Sequence, residues 1–247
     1  MLTEQRYEII LKLVNEKKSI TAAELIEILE TSESTVRRDI TALHKAGKLI
    51  KVFGGAVALE QAVTAKEYTV AQKRDVNQSE KSRIAAYAVG LVTDEDFIFL
   101  DAGTTTALLA EAIPDNCRAT FVTNAVAHAQ HLAAKGIKVI LVGGELKGTT
   151  EAIVGDLASH MLSAFHFTKG FFGTNGITRT AGFTTPDPQE ASVKQTAMNN
   201  CKEVYVLADS SKFGQISSVT FGEFAQATIL TESVPPRYSS CDNVKEV

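Results

Sequence analysis

FIFLDAGTTTALLAEAI, residues 97–113, sets four consecutive apolar residues before a short polar turn through Gly103 and an apolar helical pattern after it. A short apolar run that ends in turn residues reads as a buried strand, and the threonines that follow open a helix. Backbone N–H groups at such a helix start lack intrahelical acceptors and converge on one spot, which favours an anion. From Glu80 onward the same alternation recurs: TFV at 120–122, KVILV at 138–142, GFFG at 170–173, VYVLA at 204–208 and TIL at 228–230 are separated by helical patterns. The expected fold class is therefore α/β, with a mainly parallel sheet covered by helices on both sides. Ligands of such sheets bind at the carboxyl ends of the strands.

Polar and glycine clusters fall at those ends. They are Asp101, Gly103, Thr104, Thr105 and Thr106 after the first strand, then Thr123 and Asn124, then Gly143 and Gly144 at the head of GGELKGTTEAIVG, GTNG at 173–176, and ADSSKFG with Lys212. Each alone is ordinary strand-end punctuation. Together they predict one crevice for a polar ligand with at least one phosphate, held by Gly103 to Thr106 and a cation from Lys212. Neither the G-x-G-x-x-G nor the G-x-x-x-x-G-K-[ST] spacing occurs, which disfavours a dinucleotide or ATP. No metal site is expected: His128 and His131 share a helix face, but no carboxylate or cysteine is spaced to complete a ligand set.

The first 58 residues follow a different pattern. Tyr7, Ile10, Leu11 and Val14 recur at helical intervals from Thr3 to Lys18. Thr21 followed by Glu24 is a capping box that starts a second helix near Ala22, with Leu25, Ile28 and Leu29 on its apolar face. SESTVRRDITALHKAG then restarts the period with Val36, Ile40 and Leu43, and Gly47 supplies a stop. On this third helix Ser34, Arg38, Thr41 and Lys45 lie opposite the apolar stripe, with Thr35 and Arg37 beside them. Hydroxyls and cations on one helix face are the groups that contact phosphates and base edges in a major groove. KLIKVFGGAVAL reads as a two-stranded wing turning at Gly54 and Gly55. The candidate DNA-binding residues are Ser32, Ser34, Thr35, Arg37, Arg38, Thr41, Lys45 and Lys51.

Charge supports this placement. The net charge of the 247 residues is −4, yet Arg37, Arg38, Lys45, Lys48 and Lys51 outnumber Glu33 and Asp39 within 32–58. For an element that enters a groove, local charge outweighs the net value.

S-E-S-T-V-R-R-D-I followed by V-F-G-G-A resembles the signature of the DeoR family of bacterial transcription regulators, and the resemblance extends over nearly the whole chain. It implies a winged helix-turn-helix that binds double-stranded operator DNA, followed by a sensor domain similar to ribose-phosphate isomerases and responsive to phosphorylated sugars. LDAGTTT, LKGTTEAIVG, GFTTPDPQEASVK and LADSSKFG look closest to the fructose operon repressors of Gram-positive bacteria, whose implied effector is fructose-1-phosphate. Fructose-6-phosphate, tagatose-6-phosphate and a bisphosphate stay open. The same resemblance adds Glu190, Lys194 and Asp209 to the effector set, because they match positions near the isomerase active site. It also raises the competing reading, a sugar-phosphate isomerase-like enzyme with Glu190 as its base. The acidic stretch of the isomerases is replaced here by G-T-N-G, so a phosphate cradle without the chemistry is the expectation, and the chain is read as no enzyme.

The expected domains are a winged helix-turn-helix over 1–58, a linker over 59–78, a sensor domain over 79–232 and a polar tail over 233–247, read as disordered. Apolar residues at 45% and charged residues at 22% are ordinary for a globular protein. No stretch is long and apolar enough to span a membrane, so a cytosolic protein is expected. Cys117, Cys201 and Cys241 are odd in number and far apart, as free structural thiols would be. Half-sites read by symmetric recognition helices predict a homo-oligomer, a dimer or a tetramer.

Overall fold

The computed structural model describes residues 2–17, 19–52, 54–58, 63–64 and 67–247. The chain divides into two compact units, Met1–Ala62 and Val63–Val247.

In the first unit, helix α1 (Thr3–Lys17), strand β1 (Ser19–Thr21), helices α2 (Ala22–Leu29) and α3 (Glu33–Lys45), and strands β2 (Ile50–Val52) and β3 (Gly55–Val57) follow one another. Ile10, Val14, Leu25, Leu29, Val36, Ile40 and Leu43 are buried in one core. The helical periods place them there; Ile28, expected on that apolar face, is instead 44% exposed. The Thr21/Glu24 capping box forms, and Gly47 ends α3 at φ +66°, a conformation costly for any residue with a Cβ. The wing has a third strand that the sequence reading lacks: β1 pairs antiparallel with β3. A Cβ at Gly55 would lie 2.2 Å from the Ile20 carbonyl oxygen, so this approach requires glycine.

The second unit begins with strand β4 (Val63–Thr64), α4 (Val70–Arg74) and α5 (Gln78–Val89). Then come β5 (Phe97–Leu100), α6 (Thr104–Ala112), β6 (Thr120–Thr123), α7 (Val126–Ala134), β7 (Val139–Leu141), the hairpin β8 (Glu145–Lys147) and β9 (Ala152–Val154), and α8 (Asp156–Ser163). The remainder is β10 (Phe167–Gly173), β11 (Gly176–Thr178), β12 (Gly182–Thr185), α9 (Pro188–Asn199), β13 (Cys201–Leu207), β14 (Ile216–Ser217), β15 (Val219–Gly222), β16 (Thr228–Thr231) and β17 (Val244–Glu246).

Seven strands form a sheet in the order β17-β16-β13-β10-β5-β6-β7, and every pairing in it is parallel. Successive residues face opposite sides of the pleat. Thus Phe99, Val122, Phe172, Val206 and Ile229 pack with α8 and α9, whereas Ile98, Leu100, Phe121, Phe171 and Leu207 pack with α5, α6 and α7. Each fully buried Phe, Leu or Ile contributes about 1.5–3 kcal/mol relative to exposure. From β5 the chain winds first to β6 and β7, then returns to the other side at β10. The topological switch point therefore lies between the carboxyl ends of β5 and β10, where a crevice opens.

Two boundaries differ from expectation. Positions 59–62 and 65–66 of the expected linker lie outside the described residues. The rest of it belongs to the second unit: β4 pairs with β14, and α4 is fixed by a Thr69/Gln72 capping box. The expected disordered tail is ordered. β17 extends the sheet by pairing with β16, Tyr238 is buried, and the Arg83 guanidinium donates to the Val247 carbonyl at 2.8 Å. Polar composition misled here because an edge strand needs backbone acceptors more than apolar side chains. Among the described residues no helix is long and apolar enough to cross a membrane. Cys117, Cys201 and Cys241 are free thiols, and burial pushes Cys201 up to about 12.

Candidate functional site

In the first unit, Ser32 caps α3 by accepting the Thr35 N–H, and its hydroxyl also meets Ser34 and Thr35 at 2.9 Å. Arg37, Arg38, Thr41, Ala42 and Lys45 line a shallow concavity on the outer face of this helix. Lys51 reaches from β2 to donate to the Thr41 hydroxyl at 2.9 Å, so wing and helix present one surface. All eight expected residues are exposed or half-exposed there. Arg37 is held by Glu33 at 2.6 Å one turn back. Asp39 is the exception to the charge reading: it is buried and accepts from the Arg6 Nε–H at 2.7 Å, so it does not weaken the outward positive face.

In the second unit, a cleft of about 610 Å³ opens at the switch point. Its floor is built from the ends of β5, β10 and β13, with Gly103, Thr104 and Thr105 at the start of α6, then Gly173 to Asn175, and then Asp209. Gly103 is the N-cap of α6 and offers no side-chain acceptor, so the N–H groups of the first turn stay open to a ligand. The expected Glu190, Lys194 and Lys212 also line it, together with Lys73, Lys81, Tyr68 and Thr150, which were not expected there.

The acids of this cleft are committed to partners. Lys194 contacts the Asp101 carboxylate directly and donates to the Gly173 carbonyl at 3.1 Å, while the Gly173 N–H donates to Asp101 Oδ2 at 2.9 Å. Asp101 thus lies beneath the floor, where burial pushes its carboxyl up. Lys194 and the Gly173 N–H oppose that shift. Glu190 accepts from Thr150 and, at 3.3 Å, from Thr185, with Lys147 at 3.5 Å. Asp209 accepts from Asn77 at 2.9 Å and from Ser211; Lys212 stands 3.9 Å away. By contrast, Lys73 and Lys81 line the cleft without an ion-pair partner among the described residues. Burial lowers both ammonium pKa values, with nearby carboxylates only partly restoring them.

Several expected effector residues are elsewhere. Thr106 is buried and donates to the Gly103 carbonyl at 3.0 Å, inside the first turn of α6. Thr123 donates to the Leu100 carbonyl at 2.6 Å, and Asn124 ties the Ala102 N–H, at 2.8 Å, to the Ile153 carbonyl. These two brace the cleft from below rather than line it. Gly143 packs near Leu157, and Gly144 is a backbone requirement: its φ is +148°, and a Cβ would lie 2.7 Å from both Ile153 and Val154. Conversely, sequence reasoning missed Lys73, Lys81, Tyr68 and Thr150. A signal for Lys81 existed, because it occupies the buried stripe of α5 with Ile84, Ala85 and Ala88, where a lysine is out of place. Among the described residues no group of three His, Cys, Asp or Glu side chains could hold a metal ion.

Comparison with known proteins fits both halves. The DeoR-like helix-turn-helix domain matches residues 6–62, and the DeoR C terminal sensor domain matches residues 76–233. The chain belongs to the DeoR family. It is similar to a Bacillus subtilis (strain 168) protein described as an uncharacterized HTH-type transcriptional regulator FruR, at 40% identity over 94% of this chain and 91% of that protein. It is also similar to a lactose phosphotransferase system repressor of Streptococcus mutans, at 36% identity over 93% of this chain and 92% of the other. A ribose 5-phosphate isomerase from Methanocaldococcus jannaschii aligns with 56% of this DeoR-family chain and 55% of its own, at a TM-score of 0.42 and 19% identity. This DeoR-family member is a DNA-binding transcriptional regulator with a C-terminal sensor domain.

Proposed function

We propose that this regulator is a cytosolic repressor of a sugar uptake and catabolism operon, released from its operator by a phosphorylated sugar, with fructose-1-phosphate as the effector. The observation that carries this reading is the switch-point cleft, which the uncapped start of α6 and the cations Lys81 and Lys212 line together. A phosphate dianion matches this lining in charge and in hydrogen-bond acceptors. The names of the relatives, a regulator called FruR and lactose phosphotransferase repressors, support a sugar-linked operon.

The exposed face of Ser32, Ser34, Thr35, Arg37, Arg38, Thr41, Lys45 and Lys51 is assigned to operator DNA. Gly103, Thr104, Thr105, Glu190, Lys194, Asp209 and Lys212 are assigned to the effector, with Asp101 beneath them. Binding as a homo-oligomer, a dimer or a tetramer, would match paired half-sites. A coupling of about 1–3 kcal/mol between the sites changes operator affinity roughly 5–150-fold.

The test is fluorescence anisotropy of the full chain on a labelled duplex from its own promoter, at fixed salt, titrated with sugar phosphates and free sugars. Release by fructose-1-phosphate and by no free sugar is expected. Specific binding that no sugar phosphate changes removes the effector assignment.

A further inference from the structure

The segment that follows the DNA-binding unit carries part of the cleft wall. Glu67 accepts from Lys147 at 2.6 Å and from the Thr149 hydroxyl at 3.0 Å, and the Val70 N–H donates to the Thr149 carbonyl at 3.1 Å. These bonds lay α4 along the cleft. The helix has only five residues and no buried one, so neither helix propagation nor apolar packing holds it firmly.

Gln72 and Lys73 are the polar residues that α4 presents to the cleft, and the Gln72 side chain is engaged by the Thr69 N–H in the capping box. Lys73 is half-buried, its ammonium has no hydrogen-bond or ion-pair partner among the described residues, and Glu190, Lys194 and Lys212 are the charged groups of the cleft facing it, with Glu67 on its own segment. Its carbonyl accepts from the buried Lys81 Nζ at 2.5 Å, so α4 is tied to one of the cations assigned above to the phosphate. A partly desolvated cation without a partner is unfavourable until an oxygen ligand arrives.

We infer that Lys73 binds the effector directly, its ammonium donating to an oxygen of the bound sugar phosphate, and that this contact fastens α4 over the cleft. Occupancy would then order the segment through which the chain continues to the DNA-binding unit, and Lys73 would couple ligand to operator. The inference rests on the sugar-phosphate reading and adds to it the residue and the element that respond.

The experiment compares the wild-type full chain with Lys73→Gln and Lys73→Arg, measuring fructose-1-phosphate binding by calorimetry and hydrogen exchange of residues 67–77 with and without that ligand. Inorganic phosphate serves as a second probe. Expected are slowed exchange over 67–77 in the occupied wild type, a Kd raised roughly tenfold to a hundredfold in Lys73→Gln, and substantial recovery in Lys73→Arg. The thermal midpoint without ligand should not fall in Lys73→Gln, because the ammonium has no hydrogen-bond or ion-pair partner to lose. Equal binding by wild type and Lys73→Gln, or unchanged exchange over 67–77 on binding, overturns the inference alone. Failure of the wild type to bind any sugar phosphate overturns the effector reading and the inference with it.

Discussion

Lys194, buried on α9, makes direct contact with the carboxylate of Asp101, buried at the end of β5. The pair locks α9 to the switch point, because the same ammonium also reaches the Gly173 carbonyl of β10. Taking one charge away leaves the other desolvated and uncompensated, which costs about 3–5 kcal/mol. Lys194→Met is therefore expected to lower the urea stability of the sensor unit by that amount. The double variant Asp101→Asn with Lys194→Met should recover most of the loss. A single-variant loss below about 1 kcal/mol, within the range of exposed pairs, would show that the pair does not hold the floor together.

Arg38 and Lys51 should behave differently on DNA. Arg38 projects from α3 with no protein partner among the described residues, whereas Lys51 bridges wing and helix. Arg38→Ala is expected to cost about 1–3 kcal/mol at a matched operator and to relax preference at one base pair. Lys51→Ala should weaken all duplexes alike and reduce the salt slope by about one. Anisotropy on matched, mismatched and random duplexes at several salt concentrations separates the two. Equal loss by Arg38→Ala on every duplex would make it a phosphate contact.

The sheet and the helix-turn-helix were legible because their signals are periodic. Residues such as Phe99, Phe121, Phe171 and Val206 sit in runs too apolar for anything but a covered strand, and the α3 stripe of Val36, Ile40 and Leu43 leaves its cations outside. The cleft was legible where strand ends supply it, at Gly103 to Thr105, Gly173 to Asn175, Asp209 and Lys212, and through the family resemblance at Glu190 and Lys194. Lys73 and Tyr68 were hidden because their segment is held by one backbone bond and by Glu67 side-chain bonds to the 147–149 loop, and no local pattern records a partner that lies so far along the chain. The same reason concealed Asp39, whose partner Arg6 is on another helix. Thr123, Asn124 and Gly144 misled in the opposite direction, since strand-end polarity can serve the fold itself.

Gly55 should tolerate no side chain. A Cβ there would meet the Ile20 carbonyl oxygen at 2.2 Å and the Thr21 Cα at 2.9 Å, both backbone atoms of β1. Gly55→Ala forces β1 and β3 apart and is expected to destabilise the DNA-binding unit by about 1–3 kcal/mol, as overpacking does. Gly54, at φ +82° with open space around it, should respond to alanine through backbone strain, without displacing β1. Amide exchange of β1 and β3 distinguishes these cases. Undiminished protection in Gly55→Ala would mean that the wing can shift at little cost.

His128 should make the sensor unit acid-sensitive. Its ring is buried on α7, with burial as the main cause that lowers its pKa to about 4, opposed by a hydrogen bond to the Gly103 carbonyl. An unfolded histidine titrates near 6.5. Between these values the unfolded chain binds a proton that the folded chain refuses, so the folded state is favoured fully above about pH 6.5 and loses stability as pH falls toward 4. The shift corresponds to about 3 kcal/mol over that window. His128→Gln keeps a polar side chain of similar reach and removes the titration. Urea stability of wild type and variant, measured at steps from pH 7.5 to pH 4, should run parallel above 6.5 and diverge below it, with the variant falling less. Parallel curves across the whole range would show that the folded protein admits the proton on His128 without cost.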